Sequence, residues 1–213
     1  MNANAHRFSA VLRHWMWRLV CALSGGLTVT GRWRASGACV IVANHSSHAD
    51  TPVLLAALPP SAQPVFGAAA DYWFDVPVRR FIAGSLAGVL PVRRSGDGTY
   101  AALLAAARPA LKAGRSVVIF PEGTRSTDGT LGEFRSGALR LARDCGVPIV
   151  PVAVTGTAAV LPKGGRFSRA PMQVHLGAPV DPHGTSAAAL RATVIALRDG
   201  LRPRSADQYA LAS

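Results

Sequence analysis

The chain has little cysteine, little lysine and few acidic residues, and these shortages exclude several classes of protein. Its three cysteines, Cys21, Cys39 and Cys145, are odd in number and widely spaced among 213 residues. This pattern excludes a disulfide framework and a cysteine zinc site, and it favours a reducing compartment. No apolar run reaches the length of a membrane-spanning helix, and none is followed by a small-residue cleavage site. We therefore expect neither a transmembrane span nor a secretory signal peptide.

The charge of the chain is strongly one-sided. Lys and Arg number 23, almost all of them Arg, against 11 acidic residues, which gives a formal net charge of +12. Charged residues are nevertheless only 16% of the chain, whereas apolar residues make up 49%. This combination favours anionic, lipid-like partners such as phospholipid headgroups. Nucleic acid would also suit the charge, but helix-turn-helix, zinc and RNA-binding aromatic patterns are missing, so we expect no nucleic-acid partner.

The N-terminal segment, residues 1–30, has the pattern of an amphipathic helix. Its apolar stripe consists of Val11, Leu12, Trp15, Met16, Leu19, Val20 and Leu23. Off that stripe lie Arg13, His14, Trp17 and Arg18. A basic helix with two Trp residues is typical of a segment that lies in a membrane interface. The alternative is a helix whose stripe packs onto the rest of the protein.

Beyond this segment, strand patterns alternate with helical patterns. Strands are predicted over residues 38–43, 64–68, 88–92, 116–120, 149–154 and 173–176. Helices are predicted over residues 51–58, 72–82, 98–113, 137–145 and 186–201. The alternation favours a single α/β domain with a largely parallel sheet flanked by helices. We assign residues 31–202 to this domain and expect a disordered tail over 203–213.

Two short motifs follow apolar runs, which places both where predicted strands end. Asn44 to Asp50 reads Asn-His-Ser-Ser-His-Ala-Asp, and Phe120 to Ser126 reads Phe-Pro-Glu-Gly-Thr-Arg-Ser. The carboxyl ends of parallel strands are where open α/β sheets hold their reactive groups. The sequence therefore predicts a catalytic site formed by these two loops.

His45 and Asp50 are candidates for a general base and the carboxylate that orients it. A neutral His removes a hydroxyl proton best when a carboxylate fixes its tautomer and stabilises the imidazolium. The spacing alone allows two other interpretations. Asp50 could cap the helix over 51–58, or His45, His48 and Asp50 could bind a metal. No further Cys or His cluster completes a metal shell, and we expect neither a metal nor a bound cofactor.

Two further blocks complete a pattern of four. Gly88 to Arg94 reads Gly-Val-Leu-Pro-Val-Arg-Arg, and Val147 to Val152 is an apolar run with two prolines. With the two motifs above, they occur in the order found in the glycerolipid acyltransferase family, whose best-known member is 1-acylglycerol-3-phosphate (lysophosphatidic acid) acyltransferase. The chain resembles this family over residues 38–155. The resemblance implies a glycerol-3-phosphate acyltransferase-like fold.

The resemblance also implies roles for individual residues. His45 would be the general base and Asp50 its partner, and a second group would shape the substrate site. That second group is Arg94, Glu122, Gly123, Thr124, Arg125 and Arg135. The chain departs from the family in two places. The usual Phe-Lys-x-Gly element reads Phe134-Arg135-Ser136-Gly137. The block Gly88 to Arg94 ends in two arginines, Arg93 and Arg94, of which the family register favours Arg94.

The function that the resemblance implies is transfer of a fatty acyl group from a thioester to the hydroxyl of a lysophospholipid. The donor would be acyl-CoA or acyl-carrier protein, and the acceptor 1-acylglycerol-3-phosphate, which gives phosphatidic acid. A lyso-ornithine lipid is an alternative acceptor. A protein of another class, a metal-dependent hydrolase, would use His45, His48, Asp50 and Glu122. We expect a peripheral protein that contacts the membrane surface, on the cytoplasmic face of the inner membrane.

Overall fold

The structure, a computed structural model, describes five stretches of the chain. They are residues 3–69, 89–92, 99–125, 130–162 and 165–200. The helix predicted over 72–82, the pair Arg93 and Arg94, and the tail over 203–213 lie outside these stretches.

Seven strands form one sheet in the described part of the chain. They are β1 (Leu27–Gly31), β2 (Val40–Ala43), β3 (Val65–Ala69), β4 (Val89–Val92), β5 (Val117–Ile119), β6 (Ile149–Thr155) and β7 (Met172–Leu176). Their spatial order is β1-β7-β6-β2-β5-β3-β4. From β6 to β4 all neighbours are parallel, whereas β7 is antiparallel to β6 and β1 is parallel to β7. The predicted largely parallel sheet is therefore confirmed.

Helices flank this sheet. They are α1 (Ala3–Leu23), α2 (Asp50–Ala57), α3 (Thr99–Lys112), α4 (Gly137–Cys145), the single turn α5 (Thr157–Val160) and α6 (Ala187–Asp199). Local chemistry explains two of their ends. Gly146 takes the left-handed conformation that ends α4, and the Ser186 hydroxyl accepts the Ala189 N–H at the start of α6. The helices predicted over 51–58, 98–113, 137–145 and 186–201 correspond to α2, α3, α4 and α6.

The central strand β2 is buried on both faces. Val42 belongs to the same apolar cluster as Leu111 of α3 and Leu141 of α4. Ile41, which points to the other face, belongs to a cluster with Leu54 of α2. A strand buried on both faces gives a continuous apolar run, and this is why the sequence predicts it well. The residues that follow β2 therefore start from the centre of the sheet.

The sequence does not predict β1, which begins inside the N-terminal segment 1–30 and ends at Gly31. It is a short edge strand whose residues are mostly exposed, and its alternation Leu-Thr-Val-Thr covers only four residues, so no buried apolar run marks it. Its pairing runs from Leu27 opposite Met172 to Gly31 opposite Leu176. Part of the N-terminal segment is thus part of the sheet.

Helix α1 packs on the protein with its polar side. His14 Nδ1 donates to the carbonyl of Leu58 at 3.0 Å, and Arg18 donates to the carbonyl of Ala56 at 3.4 Å. The last carbonyls of a helix have no partner within it, so these two side chains satisfy the end of α2. The side of α1 opposite to its apolar stripe, which also carries the buried Ala10 and Cys21, is therefore its inner face.

The apolar stripe of α1 forms the outer face of the helix. Trp15 is 63% exposed and Leu19 is 62% exposed, and Val11, Leu12, Val20 and Leu23 are exposed as well. The interpretation in which this stripe packs onto the protein is therefore wrong. Among the described helices, none combines the length and the apolar content that crossing a bilayer requires.

Candidate active site

The loop between β2 and α2, residues 44–49, brings His45 and Asp50 together. His45 Nδ1 lies 2.8 Å from Oδ2 of Asp50, whose side chain is 0% exposed. The same Oδ2 accepts the backbone N–H groups of Ser46 at 2.7 Å and of Ser47 at 2.9 Å. The structure thus assembles the predicted pair, with three N–H donors converging on one carboxylate oxygen.

These contacts determine which ring nitrogen of His45 carries hydrogen. An ionised carboxylate can only accept, so Nδ1 holds the hydrogen and Nε2 keeps its lone pair. The imidazole is 19% exposed, whereas the carboxylate behind it is fully buried. Nε2 is therefore the atom left to accept a proton, and the charge of Asp50 would stabilise the resulting imidazolium.

Asp50 does not act as the N-cap of α2. Ala49 occupies the cap position without a side-chain hydrogen bond, and Asp50 is already the first helical residue. Its carboxylate binds N–H groups of the preceding loop instead of those of the first helical turn. The capping interpretation is therefore wrong, and the carboxylate holds the loop that carries His45.

Phe120 supports the imidazole from one side. The rings of Phe120 and His45 stack with their centroids 4.1 Å apart and an angle of 14° between their planes. Phe120 follows β5 directly, and β5 is the parallel neighbour of β2. Phe120 belongs to the predicted motif, but its contact with the His45 ring depends on which strands are neighbours and has no signal in the sequence.

Glu122 joins the two loops of the site. Its Oε1 accepts the backbone N–H of His45 at 2.7 Å, and its Oε2 accepts the N–H of Gly132 at 2.9 Å. The side chain is buried, and this burial raises the pKa of Glu122, although the two N–H donors act in the opposite direction. Both oxygens are used by the protein's own backbone. Glu122 therefore holds the backbone of His45 in place, which is a supporting role.

Arg135 lies against the glycine of the same loop. Gly123 has φ of 72°, and a Cβ built on it would be 3.1 Å from the guanidinium carbon of Arg135. Glycine suits both the left-handed backbone and the close approach. Thr124 is exposed and Arg125 is half-buried in the residues that follow. The structure thus brings Arg135 to this loop, whereas Arg94 lies outside the described residues.

Side-chain hydrogen bonds fix the His45 loop to distant parts of the chain. The Asn44 amide pairs with both backbone groups of Val154, each at 2.8 Å, across 110 residues. The Ser47 hydroxyl donates to the carbonyl of Leu161 at 2.7 Å, across 114 residues. Both residues belong to the motif, but no local pattern in the sequence identifies their partners.

Helix α6 supports the Glu122 contact. Arg191 Nε donates to the carbonyl of Gly132 at 2.9 Å, and the N–H of Gly132 is the group that binds Glu122. Arg191 therefore connects α6 to His45 through two residues. A basic residue in an amphipathic helix looks like ordinary surface, so the sequence carries no signal for this role.

The described residues do not assemble a metal site. Their His, Cys, Asp and Glu side chains form no group of three that could hold an ion. Oδ2 of Asp50 already faces three N–H donors, which is the environment of a hydrogen-bonded carboxylate. The metal interpretation of His45, His48 and Asp50 therefore lacks a ligand set here.

The fold and the site define an α/β protein with a His–Asp pair, its carboxylate buried, where the parallel strands end, beside a loop that Arg135 contacts. Comparison with known proteins agrees with this description. Residues 26–155 match the family described as Acyltransferase, and the chain belongs to that family.

The chain is similar to named members of this family in sequence and to one solved structure in fold. The chain is 38% identical over 126 residues to the chloroplastic 1-acyl-sn-glycerol-3-phosphate acyltransferase BAT2 of Brassica napus, covering 59% of this chain and 35% of that protein. It is 28% identical over 164 residues to the 1-acyl-sn-glycerol-3-phosphate acyltransferase of Cocos nucifera, covering 76% of this chain and 52% of that protein. The crystal structure of the 1-acyl-sn-glycerophosphate (LPA) acyltransferase PlsC from Thermotoga maritima superposes with a TM-score of 0.74 at 26% identity, covering 95% of this chain and 83% of that one. The chain thus spans about a third of the Brassica protein and about half of the Cocos protein.

Proposed function

We propose that the protein is an O-acyltransferase that moves a fatty acyl group from an acyl thioester to the hydroxyl of 1-acylglycerol-3-phosphate, giving phosphatidic acid. The observation that carries this proposal is the 2.8 Å hydrogen bond between His45 and the buried Asp50 in a chain of the acyltransferase family. The acceptor is supported by the names of the relatives, which are 1-acyl-sn-glycerol-3-phosphate acyltransferases.

His45 supplies the proton transfer that such a reaction needs. Its Nε2 takes the proton of the acceptor hydroxyl while the hydroxyl oxygen attacks the carbonyl carbon of the thioester. The C–S bond then breaks, and the imidazolium returns the proton to the leaving thiolate. Asp50 stays ionised and stabilises the imidazolium between these steps. The chemistry needs no covalent acyl-enzyme, because the thioester is already activated.

The arginines near Gly123 supply the charge for the acceptor phosphate. A guanidinium binds phosphate through two parallel hydrogen bonds, and a glycine lets the backbone approach as well. Arg135 lies against Gly123, and Arg125 follows it by two residues. These residues support an anionic acceptor, and Arg94 joins them by resemblance to the family.

The outer face of α1 supports contact with the membrane that holds the lipid substrate. Burying exposed residues such as Trp15 and Leu19 in an interface would contribute about 2 kcal/mol each. Because β1 runs antiparallel to β2, the chain leaves α1 at the edge of the sheet where His45 lies. A surface that contacts the C-terminal end of α1, where Leu23 is exposed, is therefore on the side of the catalytic edge.

The test is transfer of a labelled acyl group to a panel of lyso-lipids, with acyl-CoA and acyl-carrier protein compared as donors and products identified by mass spectrometry. We expect phosphatidic acid from 1-acylglycerol-3-phosphate, at a rate that a chelator does not change. His45→Ala should lower this rate by about 10²- to 10⁴-fold. His48→Ala, a matched change in the same loop, should retain most of it. Chelator-sensitive release of free fatty acid would contradict the proposal and support a hydrolase.

A further inference from the structure

The chain between α5 and β7 includes a loop, residues 165–170, at the edge of the sheet where His45 lies. Strand β6 is parallel to β2, so both strands end at this edge. Strand β7 is antiparallel to β6 and therefore begins there. The connection from β6 to β7 thus starts and finishes at the catalytic edge, which is also where the lipid acceptor of the proposed reaction has to arrive.

Hydrogen bonds connect the 165–170 loop to the His45 loop through the single turn α5. The backbone N–H of Ser168 donates to the carbonyl of Val160, the last residue of α5, at 2.9 Å. At the first residue of α5, the Thr157 hydroxyl lies 3.1 Å from the hydroxyl of Ser46 in the His45 loop. One helical turn therefore separates the 165–170 loop from the residues beside the catalytic base.

The other end of the 165–170 loop is fixed to the end of α1. The backbone N–H of Ala170 donates to the carbonyl of Ser24 at 3.0 Å. Gly25 has φ of 119°, and a Cβ built on it would be 2.4 Å from the carbonyl oxygen of Ala170, so only glycine allows this approach. Leu23, which directly precedes Ser24, ends the exposed apolar stripe of α1. The loop is thus attached where that stripe ends.

The 165–170 loop exposes an aromatic ring between two positive charges. Among the described residues, the exposed large apolar side chains all belong to α1 except that of Phe167, which is 59% exposed. Arg166 precedes it, Arg169 follows two residues later, and both are exposed as well. An aromatic ring with neighbouring guanidinium groups suits a bilayer interface, where the ring enters the acyl boundary and the cations reach anionic headgroups.

We propose that the 165–170 loop is a second membrane contact, in which Phe167 enters the interface and Arg166 and Arg169 bind anionic headgroups. The inference rests on the proposed function, which brings a lipid to this edge. A helix that lies in the interface can still roll about its own axis. A second contact beside the His45 loop fixes the orientation, so that the catalytic edge faces the lipid. Charge complementarity favours a bilayer with anionic lipids, and the proposed acceptor and product both carry phosphate.

The first measurement is co-sedimentation of the full chain with phosphatidylcholine vesicles, with and without phosphatidic acid. Phe167→Ser should weaken binding to both kinds of vesicle about tenfold, whereas Phe167→Trp, which keeps an aromatic ring, should bind at least as tightly as the wild type. The unfolding midpoint should not change, because the side chain is exposed. Wild-type binding by Phe167→Ser would overturn the proposal. A loss of binding that accompanies a lowered midpoint would show a structural role and would also overturn it.

A matched pair of double variants tests the charges. Arg166→Gln with Arg169→Gln should weaken binding to the anionic vesicles about 25-fold, at about fivefold for each charge, and the loss should shrink at high salt. The control is Arg108→Gln with Lys112→Gln, which removes two exposed charges from α3. Helix α3 leads into the start of β5, so its last turns lie toward the edge opposite to His45. Equal losses in the two double variants would mean that only the net charge matters, and would overturn the proposal.

Other results separate this surface from the catalytic site and from other occupants. His45→Ala should bind vesicles like the wild type while losing acyl transfer, so failure of the proposed function and failure of this surface are distinguishable. If Arg166→Gln with Arg169→Gln weakens the use of acyl-carrier protein as donor but not vesicle binding, the loop binds an acidic protein. If Phe167→Ser converts a dimer to a monomer with unchanged vesicle binding, the loop is an interface between copies. Either result would overturn the membrane contact.

Discussion

Replacing Asp50 with Asn removes the charge behind His45 but leaves an oxygen where three N–H groups converge. Those groups belong to His45, Ser46 and Ser47, at 2.8, 2.7 and 2.9 Å from Oδ2. Oδ1, the other carboxylate oxygen, has no hydrogen-bond partner, so the NH2 group of Asn can take its place without displacing a donor. Asp50→Asn therefore changes the charge and keeps the geometry.

The hydrogen bonds of Asp50 give the expected changes in folding stability and in kcat. Asp50→Ala removes three hydrogen bonds to a charged group, at about 1.5–3 kcal/mol each, and this loss is comparable with the whole folding free energy of a domain. Asp50→Asn retains three acceptor contacts and buries one unpartnered NH2, at about 1–3 kcal/mol. The larger effect of Asp50→Asn is on the activation barrier of acyl transfer, because the imidazolium loses its counter-charge. We expect kcat to fall by about 10²- to 10⁴-fold, or about 3–5 kcal/mol.

The assay combines initial rates of acyl transfer with urea unfolding of each variant. Asp50→Asn should unfold cooperatively, with a modest loss of stability and a large loss of kcat, whereas Asp50→Ala should lose both. Ser46→Ala keeps the backbone N–H that binds Asp50 and serves as the control with near-normal rate. Full activity in a folded Asp50→Asn protein would refute the role of Asp50 as the partner of a general base.

Three further predictions concern the other parts of the site and the surface of α1. For Arg125→Ala we expect the KM of the phosphate-bearing acceptor to rise about 10- to 100-fold with little change for the thioester, and equal effects on both substrates would count against acceptor binding. Because burial raises the pKa of Glu122 above its ordinary value of 4.5, the folded protein holds that proton to higher pH than the unfolded chain does. The contribution of this carboxyl to stability is therefore complete below pH 4.5 and is lost as the pH rises through the raised pKa. Urea unfolding at several pH values should show wild-type stability declining relative to Glu122→Gln over this range, and a difference independent of pH would contradict it. Replacing the exposed pair Trp15 and Leu19 with Ser should weaken co-sedimentation with liposomes and leave the unfolding midpoint unchanged, whereas a lowered midpoint would mean that the pair supports the fold.

The His–Asp pair could be predicted because its geometry is local. His45 and Asp50 are five residues apart, and they follow a strand that its apolar run makes evident. The supports of the pair could not be predicted in the same way. Glu122 reaches the His45 N–H across 77 residues, and Phe120 reaches its ring, only because β5 lies beside β2 in the sheet. A motif predicts that a loop is functional, but the order of the strands in the sheet determines which residues the loop contacts.

Helix α1 shows a second limit of sequence reasoning. Its periodicity separates an apolar face from a polar face but does not say which one packs inward. The apolar stripe faces outward, and the inner face combines the buried Ala10 and Cys21 with His14 and Arg18, which donate to carbonyls at the end of α2. Such partners are created by the tertiary fold and have no counterpart in the spacing of residues along one helix.

The hydrogen bonds of the His45 loop also bear on how fast its amide hydrogens exchange with solvent. Three successive backbone N–H groups, those of His45, Ser46 and Ser47, donate to the buried carboxylates Glu122 and Asp50. Opening the loop would leave both carboxylates buried without these donors, so exchange should be as slow as in the strands of the sheet, which is unusual for a loop. The same opening separates His45 from its partner. The exchange rate of these three amides therefore measures the fraction of time during which the base is disassembled, and a low rate means that little reorganisation precedes reaction.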